Sequence, residues 1–564
     1  MSDQPKDSQP AQPLEGDPLA AAQPRVGFFS RFTRTTVMTR DGLRDASHVL
    51  NVIRAPLAVS LLGVLVFGFL GQIYEIYRLF AEDFSIDQGF TFDNLRFFLF
   101  LLSLHVVCYV LWYVARVLTL ADPKARGALM GSTRAASRVA RWAPRVIGAA
   151  PAFAAAIGLA SAEALREGAG ATPGLYGAAA IAFLIGVMRL WSSWVRTRAR
   201  EQRYDDLSRS AFRVDLRVLM AVILIGGIAF LMSQPVELTQ TIGALTIICF
   251  FMIALVFGWA QLTFVNDRYA IPALTLLIGA GVVWAALDWN DNHFVRELPP
   301  DADAAAVQAA RDAAQVYGPR KPLSVRAAFE QWLESRANKP AYDAAGERYP
   351  VYIVAAQGGG LYAAYQSAMF LARLQDECPT FAQHVFAISG VSGGAVGAAT
   401  FTSLALEHAR NQPIESVDEP CGVAELGPDG APVSFVEKTE TMLSQDFLSP
   451  VVSGMLFGDF TARFSPVPIP AFDRARALEG AFETAWSRAH PQVGDYVTPN
   501  RLEEGILSYW DPTGAAPAVL FNATEVETGR RMILSPIERV NSTLRTYAAA
   551  AEPRVDGSIP DMRS

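Results

Sequence analysis

Ser392 lies in the pentapeptide Gly390-Val391-Ser392-Gly393-Gly394, and an earlier glycine cluster, Gly358-Gly359-Gly360, precedes it by one helix-like and one strand-like segment. A serine framed as G-x-S-x-G suits a sharp strand-to-helix turn that exposes its hydroxyl, and Gly390 and Gly394 remove side chains that would clash there. The chemistry this allows is nucleophilic attack on a carbonyl. The start of the following helix offers partial positive charge to the oxyanion that forms. Gly358, Gly359 and Gly360 can turn several backbone N–H groups into the same space, an oxyanion hole built without side chains. Other uses of these glycines fail on spacing: there is no G-x-G-x-x-G with a downstream acid, and no Gly-Lys-Ser/Thr to close a phosphate loop.

A serine hydroxyl needs a base to take its proton. Two Asp-Gly turns follow it, Asp429-Gly430-Ala431 and Asp556-Gly557-Ser558. Asp429 stands in a Pro/Gly-rich stretch with no strand before it and reads as a surface turn. Asp556 follows Arg554-Val555 close to the end of the sequence. Either Asp556 is the base, or the base lies beyond this sequence. A Ser-His-Asp triad is the alternative, with His384, His408 or His490 as the imidazole, although none has the strand-end setting that the role requires.

The positioning elements follow from periodicity. Val351-Tyr352-Ile353-Val354 is β-prone, and after the glycines residues 361–377 carry Tyr362, Tyr365, Met369 and Ala372 at helical spacing. Residues 384–388 repeat the strand, the serine turn follows, and 395–409 repeat the helix. Two strand–turn–helix units in succession imply parallel strands with crossover helices, the α/β class. Both glycine turns then fall at the carboxyl ends of strands, where such sheets bind ligands.

This pattern resembles the patatin-like phospholipase family, in the bacterial type with an N-terminal multi-pass membrane region. The two glycine turns with their helix and strand match the family's N-terminal core. Phe521-Asn522-Ala523-Thr524-Glu525-Val526-Glu527-Thr528-Gly529-Arg530 is similar to its later core strand and turn. The resemblance covers 349–531, with an insertion around 411–435. It implies a three-layer α/β/α fold and a Ser–Asp dyad, with Ser392 as nucleophile and Asp556 as provisional base. It also implies hydrolysis of lipid acyl esters. Two departures stand out. Gln357 precedes the glycines where the family has an acid, and Leu361-Tyr362-Ala363 follow where it places an arginine. The lost guanidinium weakens the case for phospholipids specifically, while the backbone donors survive.

The rest of the chain is apolar: 51% of the 564 residues are hydrophobic and 18% charged, with a mean hydropathy of +0.22. Runs at 55–74, 97–118, 146–164, 174–195, 218–232, 242–264 and 271–287 approach the ~20 residues that cross a bilayer as a helix. Arg25, Arg31, Arg34, Arg40, Arg44 and Arg54 precede the first run, and arginines also crowd the loops after the second and fourth. Glu82, Asp83, Asp87, Glu163 and Glu167 follow the first and third instead. Basic loops inside put the N-terminus in the cytoplasm. Seven spans place everything after 287 on the far side, the periplasm of a bacterial inner membrane, and a miscount by one reverses this. His105 reads as a packing or hydrogen-bonded residue and Arg189 as snorkelling near a span end, so the membrane half is an anchor.

The expected organisation is a disordered tail at 1–24, a membrane region at 25–289, a linker with docking helices at 290–348 and the α/β domain at 349–564. A net charge of −7 argues against nucleic acid. Four cysteines and six histidines show no metal-ligand spacing, so neither metal nor organic cofactor is implied, and Cys378 and Cys421 allow one bridge. The partners are membrane lipid and the bilayer; the oligomeric state is open. The competing expectation is a catalytically inactive patatin-like membrane protein with a binding or regulatory role.

Overall fold

The computed structural model describes residues 28–83, 92–129, 133–164, 173–199, 236–291, 323–411, 434–491, 498–503, 510–526 and 528–538. It is mostly helical, with a small mixed sheet in the C-terminal part. The chain forms two compact units, Met1–Ala221 with Met252–Ile271, and Val222–Phe251 with Pro272–Ser564.

In the first unit, α1 (Phe28–Val52) and α2 (Arg54–Phe69) are followed by α3 (Gly71–Asp83), α4 (Phe92–Ala121), α5 (Pro123–Leu129), α6 (Arg134–Ala164) and α7 (Pro173–Ala199). The helix α6 is central, packing against α2, α4 and α7. Small residues permit this: a Cβ at Gly158 would sit 2.2 Å from the Phe67 carbonyl oxygen, the close approach used where lipid supplies no hydrophobic drive between helices. Three described helices are long and apolar enough to cross a membrane: Leu95–Ala121 and Arg134–Ala162 here, and Ala244–Thr263 within α9 (Ala244–Tyr269). A fourth candidate is bent by 73° between Arg40–Val52 and Arg54–Phe69. Pro56 in the first turn of α2 has no N–H to return to Val52, so the helix breaks there.

The first apolar run, expected at 55–74, is therefore not one helix; it stops at Phe69, and α3 begins after an extended Leu70. The apolar part of α7, Tyr176–Trp191, and α10 (Ala273–Ala286) are shorter, and 218–232 lies outside the described residues. Arg189 departs from the sequence reading. It is buried, its Nη2 lies 2.6 Å from Nε2 of His105, and its guanidinium covers the Tyr109 ring at 5.1 Å, so it does not snorkel.

In the second unit, α8 (Val236–Ile242) precedes α9, and α10 leads on to β1 (Leu323–Ser324), α11 (Val325–Glu334) and α12 (Lys339–Ala345). The core follows as β2 (Tyr352–Ala356), α13 (Gly360–Glu377), β3 (Val385–Val391) and α14 (Gly393–Asn411). Next come α15 (Phe435–Leu443), α16 (Leu448–Ser453), α17 (Arg474–Ala489), β4 (Ala518–Thr524), β5 (Arg531–Leu534) and β6 (Ile537–Glu538). The sheet order is β2-β3-β4-β5, the first two pairings parallel and the last antiparallel; β1 and β6 form a separate parallel pair. On one face α13 and α14 bury Ala364, Ala368, Leu371, Ala398 and Phe401 against Val385 and Ile388. On the other, α11 sets Ala328 and Trp332 against Phe386, Ala387 and Ala518.

Register decides what this positions. Ala356 pairs with Gly390 and Val391 with Asn522, so β2, β3 and β4 end together and both glycine turns emerge at the same edge.

Candidate active site

Ser392 follows directly on β3 and precedes α14, with φ at 52°, a left-handed conformation that is uncommon for a residue with a side chain. Its carbonyl accepts from the Ala395 and Val396 amides at 2.9 and 3.3 Å, which starts the helix at the serine itself. The first N–H groups of α13 and α14 have no intrahelical acceptor, so this edge carries open donors and the positive ends of two helix dipoles.

The two turns interlock. A Cβ at Gly358 would lie 3.1 Å from the Ser392 Cβ and 3.8 Å from its Oγ. A Cβ at Gly393 would fall 1.8 Å from the Gly360 carbonyl oxygen, and one at Gly394 2.4 Å from that of Ala356. At Gly390 the clash is with the Ala395 Cα, at 2.4 Å. Gly359 and Gly360 have φ of 151° and 65°, which lets the first turn reverse before α13 begins. The 358–360 turn and the 390–394 turn thus meet backbone to backbone. Gly393, the variable position of the G-x-S-x-G pattern, has the tightest contact, and only its place in a run of glycines hints at this in the sequence.

Asn522 lies on β4, and nothing in the sequence of that strand marks it as a site residue. Its Nδ2 donates to the Ser389 Oγ at 2.9 Å and to the Gly390 carbonyl at 3.0 Å, bracing the two residues that lead into the turn. No charged residue occurs within 351–372, 385–406 or 512–524. The strands and turns around Ser392 therefore carry no formal charge, and their polar groups are backbone dipoles and uncharged side chains. The exposed side chains beside it, Leu361, Tyr362 and Val391, are apolar or aromatic.

None of the three candidate histidines is brought to the serine. Asp429 and Asp556 lie outside the described residues. His384 is at the opposite end of β3, ~25 Å away at 3.3 Å per residue, accepting from the Asn338 amide at 3.0 Å and facing the Pro350 carbonyl at 3.2 Å. His408 is sixteen residues along α14, ~24 Å away at 1.5 Å per residue, edge-on to Phe435. His490 ends α17 stacked on Trp486; burial and the nearby Lys438 ammonium push its imidazole down to about 4. Among the described residues, no carboxylate or imidazole hydrogen-bonds the Ser392 hydroxyl, and no group of three His, Cys, Asp or Glu side chains is placed to hold a metal ion.

Cys108 is a free, buried thiol, whereas Cys378, at the end of α13, is disulfide-bonded. Cys421, the partner considered from the sequence, lies outside the described residues. Comparison with protein-family models, with curated proteins and with solved structures found no match for this chain.

Proposed function

We propose that the chain is a membrane-anchored serine acyl hydrolase of patatin-like, three-layer α/β/α type, cleaving lipid acyl esters with Ser392 as nucleophile. One observation carries this reading: a serine held at positive φ where β3 meets α14, with the backbone of a second glycine turn packed against it. Strained side-bearing residues persist where surrounding structure holds them for a purpose. In the proposed reaction, the Ser392 oxygen bonds to the ester carbonyl carbon as a base takes the hydroxyl proton. Amides of the 358–360 turn stabilise the oxyanion, and the alcohol leaves with a proton. Water then releases the acyl group. Asp556 is the provisional base. The disulfide at Cys378 supports an oxidising compartment for this domain, in agreement with a periplasmic placement.

A fluorophosphonate probe tests the reading on the reconstituted protein. Wild type is expected to label at Ser392, and Ser392→Ala to lose both labelling and ester hydrolysis by at least ~1,000-fold. An Asp556→Asn variant with full activity would remove that residue from the mechanism. The second reading, a catalytically inactive binding or regulatory protein, is favoured by the lack of any base bonded to Ser392 among the described residues. Wild-type protein that fails to label would establish it over the enzyme.

A further inference from the structure

The second unit contains an apolar segment that packs on α17 and α8 and also touches α9 and α10. Residues 447–458, Phe-Leu-Ser-Pro-Val-Val-Ser-Gly-Met-Leu-Phe-Gly, carry no charge. They form α16 and a π-turn at Gly454–Asp459, a wide turn found mostly as single-turn insertions, often at functional places. The first charge after it, Asp459, pairs with Arg474.

Two contacts fix the level of this segment. In α8, just ahead of α9, Gln240 donates to the Asp446 carbonyl at 2.8 Å. Just past α10, Asn290 donates to the Arg463 carbonyl at 2.9 Å. Between these polar ties the segment runs alongside the helices. Phe457 and Phe460 meet Phe251 edge to face at 5.8 and 5.2 Å, and the Arg463 carbonyl lies 3.1 Å from where a Gly281 Cβ would be. Phe251 is seven residues into α9, so the segment reaches ~10 Å below the helix end at 1.5 Å per residue. That matches the ~5–10 Å to which interfacial segments bury in a bilayer. Leu448, Met455 and Val467, which make none of these contacts, are 44–59% exposed. The neighbouring α10 buries no residue, and near its end Trp284 stacks on Trp289, just past the helix, as aromatic belts do at the membrane boundary.

We propose that residues 448–467 form a monotopic insertion into the acyl-chain region of the same bilayer leaflet edge that α10 reaches. The C-terminal domain thereby has its own membrane contact, separate from its covalent anchor. The proposal rests on the membrane reading of α9 and α10, and the experiment separates the two. Single cysteines are introduced as Met455→Cys, Leu448→Cys, Ile278→Cys on α10 and Val526→Cys on the β4–β5 hairpin. Each is labelled with an environment-sensitive nitrobenzoxadiazole dye and reconstituted as full-length protein in phosphatidylcholine vesicles with 5-doxyl or 12-doxyl lipid. Strong quenching by 5-doxyl lipid is expected at Met455 and Leu448, quenching by 12-doxyl lipid at Ile278, and none at Val526. Quenching at Ile278 with none at Met455 or Leu448 would overturn the insertion and leave a protein contact on that face. Absence of quenching at Ile278 as well would overturn the membrane reading of α10.

Discussion

The two ends of the central sheet treat their polar groups in opposite ways. At the amino-terminal end most of these side chains are paired, although the Arg336 Nη1 and Trp332 Nε1 atoms are buried without a hydrogen-bond partner among the described residues. His384 is held by Asn338 and Pro350, the Tyr349 hydroxyl donates to the Asn338 Oδ1 at 2.8 Å, and Gln383 accepts the Ala337 amide at 3.1 Å. The Arg336 guanidinium, buried nearby over the Trp332 ring, donates to the carbonyls of Trp332, Pro512 and Gly514, and burial lowers it to about 10. At the carboxyl end the chain spends three glycines and a strained serine to leave helix N–H groups open beside an exposed hydroxyl. Saturated polar groups stabilise; unsaturated ones, held in place, react.

That division can be broken by variants at each end. The largest effect is expected from Gly393→Ala, because its methyl would overlap the Gly360 carbonyl oxygen and force the turns apart. Fluorophosphonate labelling should fall by more than ~100-fold, with a stability loss of about 1–3 kcal/mol. Arg336→Met should do the reverse, lowering thermal stability by about 2 kcal/mol as three carbonyls lose a charged donor, while folded protein labels at the wild-type rate. If it slowed labelling as much as the Gly393 variant does, the two ends would not be separable. The smallest effect is expected from Asn522→Ala. Loss of the brace on Ser389 and Gly390 should cost ~1 kcal/mol and slow labelling about fivefold, measured as the second-order rate with the probe.

What the sequence made legible was what lies close along the chain. Gly358 to Gly360 and Gly390 to Gly394 each define a turn by themselves, and the strand and helix flanking each have clear periods. Their side-by-side meeting needed only the parallel pairing that two such units imply. Long-range relations were not legible. Nothing near Asn522 announces that it reaches back to Gly390, and nothing near Gly393 shows which carbonyl it will meet. The three histidines illustrate the converse: each is chemically eligible, yet His384 is spent at the wrong end of β3 and His408 and His490 pack elsewhere. Hydropathy located apolar runs but not where they stop. The break at Pro56 and the end of α2 at Phe69 depend on backbone hydrogen bonding, and the burial of Arg189 depends on His105 and Tyr109 of another helix.

The left-handed backbone of Ser392 also sets stability against reactivity at a single position. A side chain at that φ costs ~1–2 kcal/mol that glycine would not incur. Glycine there would therefore give a firmer fold and remove the only hydroxyl on the turn. Selection of random variants for heat resistance alone would be drawn toward replacing the serine, and selection for turnover would hold it in place.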